Sequence, residues 1–411
     1  MYATGVSSTE NSALSALPSR RRSREQTRAV ILLLPLAVFM LLVFALPIGL
    51  FLLRALDNSE IPAALPRTIA VIGDWNGEGL PPEKVFAALA EDLASGDRQL
   101  IATLGRRLNY QQPGYRGLIG STARALRQDA PGPEIREQLV AIDPAWGTQE
   151  PWRIIKQEAG PLTSLYLLSA LDLRFDQGLK LVAQESRIYV DIIVRTFVIA
   201  GLVTLSCLLI GFPFARLLAA LPNGTANLLM LFVLMPFWTS VVIRSMAWIL
   251  LLQSQGPVNG LLQWLEIVDQ PLELVFNRFG VVIAMTHVLI PFMIFPLYAT
   301  MKSIPETYVR AASALGAGPL RAFVDVYLPL ASPGVIAGCL LVFITALGYY
   351  VTPALVGGAG DQMLSFFIAF NVSRTVNWGL ASALAILLLL AIVVLYLVYL
   401  LLTNRGEREL I

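Results

Sequence analysis

Arg310-Ala-Ala-Ser-Ala-Leu-Gly316, then nine intervening residues, then Val326-Tyr-Leu-Pro329 is the stretch on which the reading of this chain turns. It is short, of mixed character, and sits between two long apolar runs. It therefore lies outside any bilayer those runs cross, yet its composition is that of an ordered helix. Ala311, Ala312 and Ala314 form a smooth helix face that another protein could approach closely, and Leu315 follows them. Gly316 or Gly318 can end the helix in a left-handed conformation, and Pro319 can open the next one. Leu328-Pro329 then sets the start of the following apolar run.

Outward from this loop the chain is strongly apolar. Hydrophobic residues make up 56% of its 411 residues and charged residues 14%. Mean hydropathy is +0.67, which places much of the chain in a membrane. A crossing helix needs about 20 predominantly apolar residues. Six stretches qualify: 29–53, 192–220, 226–252, 279–301, 333–351 and 378–402. The expected fold class is an all-α membrane protein with six transmembrane helices. Pro35, Pro47, Pro213, Pro236, Pro291 and Pro296 fall within or near the ends of these spans, where neighbouring helices can re-satisfy freed carbonyls. Cys207 and Cys339 both lie inside apolar runs and read as small core residues, not as a disulfide or a metal pair.

Basic residues set the orientation. Arg20, Arg21, Arg22, Arg24 and Arg28 crowd just before the first span, which puts the N-terminus in the cytoplasm. Six crossings return the C-terminus, with Arg405 and Arg408, to the same side, and the loop carrying Lys302, Arg310 and Arg321 also falls inside. A cleaved signal peptide is the alternative reading of the first span. Its apolar run is too long for one, and Leu53-Arg-Ala-Leu-Asp57 offers no clear cleavage site. The expected organisation is a cytoplasmic basic tail 1–28, a first transmembrane helix 29–54, a periplasmic insert 55–190, and a five-helix core 191–411 that carries a cytoplasmic loop 302–332.

The insert is water-exposed: 57–190 holds 31 of the 58 formal charges. Apolar residues recur at helical spacing in 84–93, 118–126, 135–142 and 161–171, and turn-forming stretches separate them. A small, mainly helical domain is expected, with a final amphipathic piece, 176–190, running into the second span. Glu91 and Asp92 are adjacent, so they point to different faces of a helix and make a poor catalytic dyad; they read as part of a solvated face. The insert contains no histidine and no cysteine.

The loop resembles the signature loop of ABC-importer membrane subunits, whose pattern is Glu-Ala-Ala, three residues, Gly, nine residues, Ile, one residue, Leu-Pro. The spacing matches throughout, with Arg310 standing where that family usually has Glu and Val326 where it usually has Ile. The similarity runs from about residue 190 onward. Met235-Pro-Phe-Trp-Thr-Ser-Val-Val-Ile-Arg-Ser-Met-Ala-Trp248 and Gly256-Pro-Val-Asn-Gly-Leu-Leu262 are similar to the spermidine/putrescine (polyamine/opine) type of permease. So are Ile290-Pro-Phe-Met-Ile-Phe-Pro-Leu-Tyr298, Leu347-Gly-Tyr-Tyr-Val-Thr-Pro353 and Leu355-Val-Gly-Gly358. The resemblance implies the type I importer permease fold in a bacterial inner membrane. It also implies that Arg310, Ala311, Ala312, Leu315, Gly316, Gly318, Leu328 and Pro329 dock into a groove on a separate ATPase. The implied partners are two ATP-binding subunits, a second homologous permease, a periplasmic substrate-binding protein and the lipid bilayer, with no nucleic acid. The chain has no Gly-x-x-x-x-Gly-Lys-[Ser/Thr] loop. ATP and Mg are therefore expected on the partner ATPase, with no cofactor, metal or catalytic residue here.

A substrate path is harder to read. Ionisable residues inside spans are functional candidates, and these are Arg244 and His287, with Arg216 near the inner end of the second span. Ser240, Arg244 and Trp248 share a helix face. Arg244 either lines the path on that face or snorkels to the outer surface. Trp238 is either a core residue or an aromatic contact, and His287 reads as packing. Tyr349, Tyr350, Trp378, Asn371 and Asn377 could add aromatic and amide contacts. No Asp or Glu lies deep in a span, although a polyamine would favour carboxylates or aromatic faces along its path. The implied cargo is a polyamine such as putrescine or spermidine; an opine, an amino acid derivative or another small nitrogenous solute is the alternative. A secondary transporter would call for membrane-embedded acids and repeat symmetry, and a membrane-anchored enzyme would need catalytic groups in the insert.

Overall fold

A computed structural model describes residues 31–175, 179–181 and 187–408. The tail 1–28, with its arginines, lies outside these residues. Helix α1 (Ile31–Leu53) has a mean hydropathy of 2.9 and belongs to a separate compact unit that ends at Arg54. Its 23 residues rise about 34 Å at 1.5 Å each, enough for a hydrocarbon core of about 30 Å. A π-turn at Leu41–Ala45 precedes Pro47, where a missing N–H and a bulky ring disturb the regular ladder.

The second unit begins at Ala55 and opens with a helical domain. Its elements are α2 (Glu60–Ala64), α3 (Pro66–Ile72), α4 (Glu83–Ser95), α5 (Arg98–Gln111), α6 (Tyr115–Gln128), α7 (Ile135–Ile142), α8 (Glu150–Gln157) and α9 (Leu165–Ala170). They surround an apolar core centred on Phe86, Trp146 and Trp152, with ring centroids 4.3 Å apart for Phe86–Trp152 and 5.2 Å for Trp146–Trp152. Each indole N–H is satisfied: Trp146 donates to Thr122 Oγ1 at 2.9 Å and Trp152 to the Trp146 carbonyl at 3.1 Å. Asp92 is buried, not part of a solvated face. Its carboxylate accepts from the Arg67 and Thr68 amides and the Thr68 hydroxyl, and so caps the N-terminus of α3 from another helix.

Arg107 is buried as well. It donates to Asn58 Oδ1 at 2.9 Å and to Glu158 Oε2 at 2.8 Å, and its guanidinium lies 4.9 Å from the centre of the Tyr166 ring. The two ends of the domain are held together. The Asn58 amide donates to the Pro161 carbonyl at 3.0 Å, and the Thr163 amide to the Leu56 carbonyl at 2.9 Å. A two-stranded antiparallel sheet follows, pairing β1 (Leu173–Phe175) with β2 (Leu179–Leu181). Of the amphipathic piece expected over 176–190, 179–181 is a strand, a helix begins only at Tyr189, and 176–178 and 182–186 lie outside the described residues.

Four more long apolar helices or helical runs complete the candidate spans. Three of them, α10 (Tyr189–Ala220), α14 (Arg278–Ser303) and α16 (Pro319–Leu347), pack into one core, and α19 (Trp378–Leu401) is the last. The close packing rests on small residues. A Cβ at Gly338 would lie 2.8 Å from Met293 Sδ and 3.2 Å from the Met293 carbonyl, so α16 approaches α14 only because that position is glycine. Gly334, four residues earlier, is equally tight against Thr300.

The expected third span is not a straight helix. α11 (Asn223–Leu234) passes through a 3₁₀ turn at Met235–Trp238, and α12 (Val241–Leu252) leaves in a new direction, with α13 (Pro257–Trp264) following. The two halves, Asn223–Trp238 and Val241–Trp264, are bent by 98°, which gives five candidate spans, or six if the bent pair is one. Pro236 lies in the 3₁₀ turn, and Thr239 and Ser240 are extended, so the chain starts a fresh helix at Val241. The expected fifth span is also shifted. It begins at Pro319, passes a π-turn at Phe323–Tyr327 and ends at Leu347, with 351–356 forming a separate helix, α17 (Val351–Val356). α18 (Leu364–Ser373) then leads to α19.

Candidate functional site

The loop between α14 and α16 folds as α15 (Glu306–Ala314), none of whose residues is buried. Glu306 stands in its first turn, where a carboxylate suits the helix dipole. Arg310 lies one turn later and pairs with the Glu306 carboxylate. The helix ends at Gly316, whose φ of 90° is the left-handed region open to glycine. The Gly316 amide donates to the Ser313 carbonyl and the Ala317 amide to the Ala312 carbonyl, both at 3.0 Å, the paired closure of a Schellman motif. Gly318 has an ordinary φ of −64° and caps the next helix, which Pro319 opens.

Leu315 is 91% exposed and Leu320 75%, so the turn presents apolar side chains that are largely uncovered among the described residues. Ala311 and Ala314 are exposed and Ala312 half-buried. Leu328 and Pro329 do not form a separate loop segment. They lie in continuous helix just past the π-turn, whose wider backbone accommodates the missing Pro329 N–H. Two cations fix the loop to the core. Lys302 donates to the Ala219 and Leu221 carbonyls at 3.2 Å each, and so caps the C-terminal end of α10. The Arg216 guanidinium sits 4.7 Å from the ring centres of both Phe323 and Tyr327. Arg216 is thus a packing residue of the loop.

The path candidates separate into two places. Ser240 opens α12, and its carbonyl accepts the Arg244 amide at 3.0 Å. One turn further on, the Trp248 indole donates to His287 Nδ1 of α14 at 3.3 Å, with the rings edge to face at 5.7 Å. His287 and Tyr349 both lie within electrostatic reach of Arg244. Arg244 and Trp248, one turn apart on α12, and His287 therefore form a polar aromatic cluster, with His287 exposed and the other two half-buried. Arg244 Nε and Nη1 are buried without a hydrogen-bond partner. Trp238 is 69% exposed at the break between α11 and α12, and Tyr350 is 44% exposed at the start of α17.

Asn371 and Asn377 sit apart from this cluster. The Asn371 amide donates to the Phe367 carbonyl at 2.8 Å, and Asn377 Oδ1 accepts the Leu380 amide at 3.1 Å, so both are engaged in the α18–α19 corner. The sequence reading missed Thr352, whose hydroxyl meets that of Ser245 at 3.1 Å in the core. It also took His287 for simple packing, because no partner is near it in sequence.

Against known proteins, residues 180–407 match the family described as "Binding-protein-dependent transport system inner membrane component". The chain is 34% identical over 212 residues to the spermidine/putrescine transport system permease protein PotB of Escherichia coli (strain K12), covering 52% of this chain and 77% of that one. It is 35% identical over 228 residues to the Haemophilus influenzae protein of the same name, covering 54% and 79%. Among solved structures, it aligns with a chain of the bacterial alginate ABC transporter in complex with alginate pentasaccharide-bound periplasmic protein at 19% identity. That alignment has a TM-score of 0.42 over 55% of this chain and 80% of the other. A family match across more than half of the chain, covering the broken helix, the Gly316 turn and the polar aromatic cluster alike, makes this protein a member of the binding-protein-dependent transport system inner membrane components, a multi-pass permease of an ABC importer.

Proposed function

We propose that this chain carries a polyamine such as putrescine or spermidine across the inner membrane, and that it forms the path together with a second, homologous permease. The observation that carries the cargo is the 34% identity to a spermidine/putrescine permease over 212 residues. Trp248 and Tyr349 offer π faces, which attract ammonium groups by their quadrupole. In this reading α11 to α13 form one broken span, giving six crossings. Both termini lie in the cytoplasm, and the domain 55–190 faces the periplasm. The exposed Leu315 and Leu320 seat α15 in one of two ATP-binding subunits, which hold ATP and Mg; a periplasmic protein delivers the solute.

Arg244 favours a second reading within the same importer class. A guanidinium with two buried, unpartnered nitrogens suits a carboxylate, so an opine or amino acid derivative would also fit. Uptake of radiolabelled putrescine, spermidine and an opine by cells expressing the complete transporter distinguishes the two. Saturable, ATP-dependent putrescine or spermidine uptake supports the first. Uptake of the carboxylated solute alone replaces it with the second.

A further inference from the structure

Residues 98–128 contain six arginines, no lysine and no carboxylate. Elsewhere in the same domain several cations meet acids: Arg67 pairs with Glu91 and Asp92, Lys84 with Asp74, and Arg136 with Glu83. On α5 and α6 only Arg107 does so, turned inward to Glu158. The other five, Arg98, Arg106, Arg116, Arg124 and Arg127, line one groove of about 1140 Å³ between the two helices. None of the five is in an ion pair among the described residues. The floor is bare. A Cβ at Gly117 or Gly120 would meet nothing within 4 Å, while Gly105 packs against the backbone of Arg116.

We propose that this groove is the seat for an acidic segment of the periplasmic protein that delivers the solute. The inference rests on the importer reading and adds to it a contact surface that the core alone does not have. Arg98 and Arg106 are eight residues apart on one helix, about 12 Å along its axis. That span is too long for one small anion and fits carboxylates spaced along a helix or strand. An all-arginine lining matches planar carboxylates, because the guanidinium fork binds them with two parallel hydrogen bonds. A lipid-binding surface would pair its cations with apolar side chains that enter the bilayer; this floor is glycine, alanine and the buried Ile101, which cannot reach out.

α5 also ties the seat to the permease. Tyr110 donates to the Thr375 carbonyl at 3.3 Å, and Arg107 covers Tyr166. The Tyr166 ring fills the notch at Gly379, where a Cβ would lie 2.2 Å from it.

The test uses the complete transporter in lipid nanodiscs and a putrescine-loaded binding protein that stimulates its ATP hydrolysis. Arg116 and Arg124 are both exposed, so the double variant Arg116→Glu, Arg124→Glu is expected to keep basal hydrolysis. Its association rate with the binding protein at 50 mM salt should fall by about tenfold or more, with the difference shrinking at 300 mM. Gly117→Leu, which fills the floor and leaves every charge, should weaken binding at both salt concentrations. Unchanged association and salt dependence in both variants, with wild-type stimulation intact, overturns the seat and leaves the importer reading standing. Loss of binding to phosphatidylglycerol vesicles with unchanged association of the protein also overturns it and makes the groove a lipid site. If no binding protein stimulates the wild-type complex, the importer reading itself fails.

Discussion

Gly316 allows the coupling role of α15 to be tested with backbone conformation as the only variable. Its φ of 90° lies in the left-handed region, and a Cβ there would meet nothing within 4 Å. A side chain at this position therefore brings no clash, only the conformational penalty. For an ordinary residue that penalty is about 1–2 kcal/mol; asparagine bears less of it, and a β-branched residue more. An energy of this size lowers the population of the closed turn by about 5- to 30-fold. None of the α15 residues is buried, so the permease core is untouched. Uptake should therefore fall in the order Asn, Ala, Val: within about twofold of wild type for Gly316→Asn, about fivefold down for Gly316→Ala, and more than tenfold for Gly316→Val. The assay is initial-rate uptake normalised to membrane-inserted protein, with thermal stability in detergent measured alongside. Wild-type uptake by Gly316→Val at normal abundance would refute the argument, because the turn would then have no bearing on transport.

Three further outcomes are expected. Gly338→Leu pushes a side chain into Met293 and should cost about 1–3 kcal/mol, read as a lower unfolding temperature; an unchanged midpoint means that the α14–α16 seam is looser than described. Glu158→Gln takes the charged partner from a buried guanidinium and should cost up to about 3–5 kcal/mol. Protease cleavage within 58–161 would then rise, whereas Arg107→Leu combined with Glu158→Leu should restore much of the resistance. Trp248→Phe removes the donor to His287, worth about 0.5–1.5 kcal/mol. If the pair acts as a unit, Trp248→Phe and His287→Ala should lower uptake non-additively, and strictly additive losses would separate the two residues.

What the sequence made legible was local. The long spans follow from apolar length alone, and the Gly316 turn follows from glycine and proline placed where a helix must stop and restart. Pro213, Pro291 and Pro296 stay inside continuous helices, while Pro236 sits at a break. No single-residue rule separates them, because the difference is made by Thr239 and Ser240 adopting extended backbone just downstream. The contacts that define the domain 55–190 were unreadable for a different reason. Arg107 finds Glu158 across 51 residues and forms a buried bridge, and Asp92, which reads as solvated surface, finds Thr68 across 24 and becomes a cap. Trp248 and His287, 39 residues apart, meet only because α12 restarts beside α14.

The two amide bonds that close the neck of this domain, Asn58 to Pro161 and Thr163 to Leu56, have a practical meaning for the chain as a whole. They bring the ends of a segment of about a hundred residues as near as neighbouring strands, so the polypeptide leaves the segment almost where it entered it. A splice that joins 57 to 162 through a tight turn would reproduce that geometry, and it would keep α9 and Tyr166 in their place against Gly379. The domain is thus carried as a cassette on a permease whose backbone path hardly registers its presence.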